Sequence, residues 1–398
     1  MSRGTGRHFL QIPGPTNVPL PVLAAIAQPT IDHRGQEFRA LTLEVLAGLV
    51  EVFATKEPVV VYSASGTGAW EAALVNTLSP GDAVLMAETG HFSTLWRNIA
   101  QRLGLRVVFL PGDWRRGAVV DEIENRLAED RAHSIKAVAV VHNETSTGAV
   151  TNIAAVRHAL DRARHPALLM VDTVSSLASM EYRHDEWGVD VTIGGSQKGL
   201  MLPPGLSFNA VSAKARARSK DARLPRAYWN WDDIISANAK GYFPHTPSTN
   251  LLQGLKVSLA LLREEGLPSV FARHDHAAEA VRRCVRRWGL EIWCEEPADY
   301  SSSLTAVRVP EGCSADALRE QILRQASVSL GGGLGRLADR VFRIGHLGDF
   351  NRASMLGTLA AIEATLLESG MLTRAGGVAE ATSYFAQPMA RDPLSGAA

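Results

Sequence analysis

Between residues 57 and 195, short apolar runs recur with longer helical patterns between them, and this alternation constrains the fold more than any other feature. The runs are "EPVVVYS" (57–63), "DAVLMAE" (82–88), "LRVVFLP" (105–111), "KAVAVVHN" (136–143), "PALLMVDTV" (166–174) and "VDVTIGG" (189–195). Helical patterns fall at "TGAWEAALVNTL" (67–78), from 93, near 120–130 and from about 152 to 164. Strands that alternate with helices, and that are apolar along their whole length, are buried on both faces. The pattern predicts an α/β fold with a mostly parallel central sheet covered by helices.

A chain of 398 residues is long enough for two domains. After about residue 260 the regular alternation stops. "LLQGLKVSLALLREEGL" leads to "GLEIWCEE", "LTAVRVP", a helix at 314–326, "RVFRIGH" and a last helix at 350–369. The expected organisation is an N-terminal extended segment (1–20), a large domain (21–260) and a smaller C-terminal α+β domain (261–398). "IPGPTNVPLPV" carries too much proline for regular structure and is expected to lie along the body. The tail from 374 is rich in small residues and expected to be loosely ordered.

Formal net charge is zero, which gives no electrostatic attraction to nucleic acid or an acidic membrane. The arginines of "RRCVRR" (282–287) are expected on the wet face of a helix. No apolar run reaches membrane-spanning length, and "MSRGTGRHFLQIPGP" lacks an apolar signal region. Cys284, Cys294 and Cys313 have no metal-ligand spacing, and their odd number argues against a disulfide framework. No metal is expected, and a soluble protein of the reducing cytoplasm is.

In parallel α/β sheets ligands gather beyond the carboxyl ends of the strands, so those ends carry the chemistry. "SASGTGAWE" (63–71) joins a strand to a helix and offers backbone N–H groups to an anion such as phosphate; a plain capped turn fits it equally. Asp172 follows five apolar residues, as a turn cap or as an acid that keeps a proton on a heteroaromatic nitrogen. Lys198, one of seven lysines, alone follows a buried strand through small residues. It is either an exposed loop lysine or one that, desolvated or flanked by a cation, loses its proton more easily and can form a Schiff base with an aldehyde. Phosphate cradle, ring acid and amine together are the three handles that pyridoxal 5′-phosphate needs.

These residues lie within a longer ordered series: "PGPTNVP" (13–19), "SGTGAWEAALVNTLSPGD" (65–82), "VHNETSTG" (141–148), "HPALLMVDTVSSL" (165–177), "DEWGVDVTIGGSQKGLMLPPGL" (185–206), "GYFPHTPS" (241–248) and "VFRIGHLGD" (341–349). Through it the chain resembles the class V, fold-type I aminotransferases dependent on pyridoxal phosphate, and within them the serine–glyoxylate and alanine–glyoxylate enzymes. The resemblance implies that Ser65, Gly66, Thr67 and Gln197 bind the cofactor phosphate. Thr246 would reach that phosphate from a neighbouring subunit, so a homodimer with shared sites is implied. Phe92, where the family has tryptophan, and Val174 would cover the two ring faces. Thr145 would bond near the ring hydroxyl, Asp172 would pair with the ring nitrogen, and Arg343 would grip the substrate carboxylate.

The implied activity moves the amino group of L-serine to glyoxylate by a ping-pong route, with Lys198 and Asp172 catalytic and small amino and 2-oxo acids as partners. Alanine or aspartate as donor are the near alternatives, aspartate requiring a further cation. His33 and Arg34 could border the pocket or be surface residues. Cysteine desulfuration needs a mobile thiol, and none lies in the glycine-rich loop "SLGGGLGRL" (329–337). A non-catalytic binding module would not need Lys198, Asp172 and Arg343 together.

Overall fold

The computed structural model describes residues 7–372 and 375–388. The chain enters along β1 (Phe9–Gln11). It then lays down β2 (Val59–Tyr62), β3 (Ala83–Ala87), β4 (Arg106–Leu110) and β5 (Ile135–Val141). A short ribbon follows, β6 (Asn143–Glu144) with β7 (Ala149–Val150), and then β8 (Leu168–Asp172), β9 (Val191–Gly195) and β10 (Ser207–Val211). The last strands are β11 (Glu291–Ile292), β12 (Leu304–Arg308), β13 (Val328–Gly332) and β14 (Val341–Gly345).

One sheet has the order β2-β10-β9-β8-β5-β3-β4 and is parallel throughout except for β10, which runs against both neighbours. Its six expected strands begin and end within two residues of their apolar runs. Alternate residues feed two separate cores. Val59, Val61, Leu85 and Val138 join Phe38, Leu49, Phe53, Leu255 and Leu259 on one face. Val60, Tyr62, Val84, Met86 and Met170 join Trp70, Leu74 and Trp96 on the other. Burial on both sides explains why these strands read as unbroken apolar runs.

The second sheet has the order β1-β13-β14-β12-β11. Its core brings Phe342 and Ile344 together with Val281, Cys284, Leu318, Ile322 and Leu359 from the surrounding helices. Several details depart from the sequence expectation. β10 was not foreseen, and part of the supposed glycine-rich loop 329–337 is β13. The proline-rich run 12–22, expected to lack regular structure, enters the helix Leu20–Ile26; residue 260 lies inside the helix Thr249–Glu265. Within the tail, Gly377–Phe385 is a helix whose Ala381 and Phe385 are buried; residues 389–398 lie outside the described part. The arginine run belongs to the helix Leu267–Trp288, where Arg282, Arg283 and Arg286 all contact Glu279 rather than only water.

Candidate active site

β8 and β9 are parallel neighbours, with Asp172 opposite Ile193 in the ladder, so their carboxyl ends open side by side. Asp172 closes β8. Lys198 lies three residues beyond β9, in a turn held by hydrogen bonds from the N–H of Met201 to the Lys198 carbonyl and from the N–H of Leu202 to the Ser196 carbonyl. Both side chains are buried. The Lys198 amine donates to the carbonyl of Pro13. The N-terminal segment is itself pinned over this turn: the Thr16 N–H and hydroxyl donate to the carbonyls of Gln197 and Lys198. Gly14 packs so closely on the amine-bearing chain that a Cβ there would stand 2.3 Å from the Lys198 Cδ and 2.5 Å from its Nζ.

Burial sets the proton affinities of this pair. It lowers the Lys198 amine to about 7; the Arg343 charge adds to the fall and Asp172 opposes it. It raises the Asp172 carboxyl to about 7, against the N–H of Val174, which donates to Oδ1 at 2.7 Å. The negative Glu144 adds to the rise. The Trp70 indole N–H acts weakly in the opposite sense, without meeting hydrogen-bond geometry to any acceptor. Asp172 thus does cap its turn, through one oxygen, and still presents a buried titratable carboxyl. An amine and an acid that both titrate near neutrality can each exchange a proton there.

Arg343, on β14, is only 8% exposed. Its Nε donates to the Gly332 carbonyl at 2.7 Å and its Nη1 to the Thr145 carbonyl at 2.7 Å. Among the described residues no carboxylate forms an ion pair with it, and Nη2 has no hydrogen-bond partner. Burial lowers its proton affinity to about 10, against the favourable charge of Glu144. A buried guanidinium without a counter-ion, beside a buried amine, suits a carboxylate ligand. Glycine makes the fit possible: a Cβ on Gly331 would meet the Arg343 Nε at 3.3 Å.

The remaining expected residues are placed as follows. Gly66, Val174 and Gln197 cluster: a Cβ on Gly66 would lie 2.6 Å from Val174, and one on Gly195 would lie 3.2 Å from the Gln197 Oε1. That oxygen is buried with no hydrogen-bond partner. Ser65 caps the helix Gly66–Thr77 with its backbone alone, so its exposed hydroxyl and that of Thr67 are open to an anion at the helix start. Phe92 and Val174 are both half-buried against the same core. Thr145 donates its hydroxyl to Ser175 at 2.7 Å. Thr246 stands apart: it is exposed, on a loop whose Ser248 bonds to Ser63, with no hydrogen bond of its own among the described residues. His33 and Arg34 occupy the turn before the helix Gln36–Phe53, where Asp32 accepts from the Arg34 N–H, and neither bonds to the Lys198 cluster.

Sequence reasoning passed over Pro13, Gly14, Trp70 and Glu144. Glu144 lies inside the quoted "VHNETSTG", and an acid between polar residues carries no signal of its full burial. Cys284, Cys294 and Cys313 are free thiols, burial raising the first two well above the ordinary range.

A family model for class-V aminotransferases matches residues 8–357. The chain is 46% identical to a serine–glyoxylate aminotransferase of Methylorubrum extorquens, over 98% of its own length and 99% of the relative's. It is 44% identical to an L-aspartate–glyoxylate aminotransferase of Paracoccus denitrificans, over 97% of this chain and 98% of that one. The crystal structure of a ureidoglycine–glyoxylate aminotransferase from Bacillus subtilis superposes with a TM-score of 0.89 at 26% identity, covering 97% of this chain and all of the other.

Proposed function

This chain belongs to the class-V aminotransferase family, and from that premise we propose that it transfers the amino group of L-serine to glyoxylate, yielding 3-hydroxypyruvate and glycine. The observation that carries the chemistry is the convergence of a buried amine at Lys198 and a buried carboxyl at Asp172, at the ends of the neighbouring strands β9 and β8, with Arg343 of β14 in the other sheet. The Arg343 charge reaches Lys198, and it has no ion-pair partner among the described residues. Identity of 46% over nearly the whole of both chains to a serine–glyoxylate enzyme supports the donor.

The residues present fit pyridoxal 5′-phosphate. The orphaned Gln197 oxygen, the tight backbone surface at Gly66, where a Cβ would lie 2.6 Å from Val174, and the open helix start behind Ser65 and Thr67 suit its phosphate. Phe92 and Val174 would flank its ring and Thr145 would lie by its hydroxyl. When bound, the cofactor supplies an electron sink that weakens the Cα–H bond of a joined amino acid. Asp172 holds a proton at the ring nitrogen. Arg343 orients the carboxylate common to amino acid and 2-oxo acid, so that both half-reactions use one pose. Lys198, whose amine titrates near neutrality, takes the proton from Cα and returns it on the other side of the transfer. Pro13 and Gly14, closed over the amine, keep water from it.

The exposed Thr246 loop supports a shared site in a homodimer, where Thr246 would complete the phosphate cradle of the other subunit. Leu20, 73% exposed, and Leu23, 43% exposed, are apolar residues that a second copy could cover.

Aspartate is the second reading, on the strength of the 44% identical relative. Its side-chain carboxylate needs another cation. The guanidinium whose charge reaches Arg343, that of Arg319, is already paired with Asp316 at 2.7 Å. Half-reaction rates of the purified protein with serine, alanine and aspartate test the assignment. Serine should be fastest. Aspartate outrunning it by about tenfold, a preference of roughly 1.4 kcal/mol, would overturn the donor and leave the family untouched.

A further inference from the structure

Glu144 is fully buried, and no cation pairs with it among the described residues. Four donors satisfy its carboxylate. Oε1 accepts from the Phe92 N–H at 3.2 Å, the Ser146 N–H at 3.1 Å and the Ser146 hydroxyl at 2.6 Å. Oε2 accepts from the Ser93 N–H at 3.1 Å. Ser146 in turn accepts from the His91 N–H at 2.9 Å. The three orphan N–H groups that open the helix His91–Arg102 are therefore satisfied by a hairpin more than fifty residues later in the chain.

A helix start can be capped more cheaply. Ser93 already does part of this locally, accepting from the N–H groups of Thr89 and Gly90. Burying a carboxylate costs several kcal/mol unless strong hydrogen bonds offset it. A local polar side chain would avoid that cost. What the distant carboxylate adds is a tie between two segments. The approach is close enough that a Cβ on Gly90 would lie 2.4 Å from the Glu144 Cγ.

Both tied segments carry site residues. Phe92 is the second residue of the helix. Thr145 is the residue after Glu144; its carbonyl accepts from Arg343 and its hydroxyl bonds to Ser175. The Glu144 charge also reaches Arg343 and Asp172, favouring the ionised form of the first and opposing that of the second.

We propose that Glu144 is a positioning residue, whose carboxylate fixes Phe92 and, through Thr145, Arg343 relative to one another. This rests on the site reading above, in which Phe92 covers the cofactor ring and Arg343 binds the substrate carboxylate. Glu144 does not touch the reacting atoms; it sets the distance between the ring wall and the carboxylate grip.

The test compares Glu144→Gln with the unaltered protein. The amide keeps one acceptor oxygen but loses the charge and turns an N–H donor towards the Ser93 N–H, so it weakens the tie with little change of volume. Two quantities are read: the Kd of the apo-protein for pyridoxal 5′-phosphate, from quenching of tryptophan fluorescence, and the KM against kcat for glyoxylate. Both Kd and KM should rise by roughly tenfold or more, with kcat falling less, while the far-ultraviolet circular dichroism stays unchanged. A folded Glu144→Gln protein with only a lower Tm, and with Kd and KM unchanged, would reduce Glu144 to a helix cap and overturn the inference. If that variant does not fold, Ser146→Ala loosens the same junction more gently. It should raise Kd severalfold, and an unchanged Kd would be equally fatal. Failure of the unaltered protein to bind the cofactor would instead remove the functional reading itself.

Discussion

Gly14 offers a sharp test of how Lys198 is held. Its φ of +94° lies in the region that side-chain-bearing residues avoid, and a Cβ added there would stand 2.3 Å, 2.5 Å and 2.6 Å from the Lys198 Cδ, Nζ and Cε. Ordinary contact begins near 3.4 Å. The lysine chain in Gly14→Ala must therefore retreat by roughly 1 Å, a displacement that can lower turnover about a hundredfold. That loss corresponds to about 2.7 kcal/mol of activation free energy. The backbone adds a strain of about 1–2 kcal/mol to the folded state. The assay is rapid mixing of the cofactor-loaded variant with serine, following the visible absorbance change, with thermal unfolding measured in parallel. The expected result is a slow half-reaction on a folded protein whose Tm is lower by a few degrees. A half-reaction within threefold of the unaltered rate would show that the amine does not work against Gly14, and the closure of the N-terminal segment over it would lose its role.

Lys198→Ala should abolish the visible band of covalently held cofactor and nearly all turnover; retention of both, read by absorbance and product assay, would remove Lys198 from the mechanism. Arg343→Lys keeps the charge but loses the planar fork and its bonds to the Gly332 and Thr145 carbonyls. The KM for glyoxylate should rise by roughly 10- to 100-fold, measured by steady-state kinetics, with serine affected alike because both ligands share the carboxylate. Stability should fall on acidification. Burial depresses His142 to about 4 and His274 and His346 to about 3. Below the unfolded value of about 6.5 the unfolded chain binds protons that the folded one refuses, each such histidine costing up to about 1.4 kcal/mol per pH unit. Asp172, whose carboxyl is raised to about 7, works in the opposite sense by favouring the folded state as pH falls. His184 is likewise depressed to about 4, and burial also raises the carboxyls of Asp275, Asp299 and Asp349. With four strongly depressed histidines against one carboxyl raised as far as about 7, the Tm should drop from about pH 6.5 to about pH 4.5, and a flat profile would contradict the burial argument.

Much of the large sheet could be read from the chain because its strands are buried on both faces and therefore stand out as continuous apolar runs, as "DAVLMAE" and "PALLMVDTV" do. Asp172 and Lys198 were visible for a related reason: a charged residue just past such a run has few structural excuses. Arg343, by contrast, emerged only from resemblance, since an arginine in a short strand usually faces water. Residues 207–211 escaped because "SFNAV" is mixed in polarity, its Asn209 accepting from the Tyr62 hydroxyl, which in turn accepts from the Trp231 indole N–H, both from distant parts of the chain. Residues 328–332 were hidden by the very glycines that let Arg343 lie close.

Local order, then, was written in the chain: the alternation of strand and helix, and the chemistry waiting at the strand ends. Tertiary structure alone decided that β10 runs against its neighbours, that Pro13 and Gly14 close over an amine far along the chain, and that Glu144 joins Phe92 to the Arg343 pocket. The reason is range. A side chain's effect on backbone preference reaches about one helical turn along the chain, whereas the β2–β10, Pro13–Lys198 and Glu144–Phe92 contacts each join residues more than fifty positions apart.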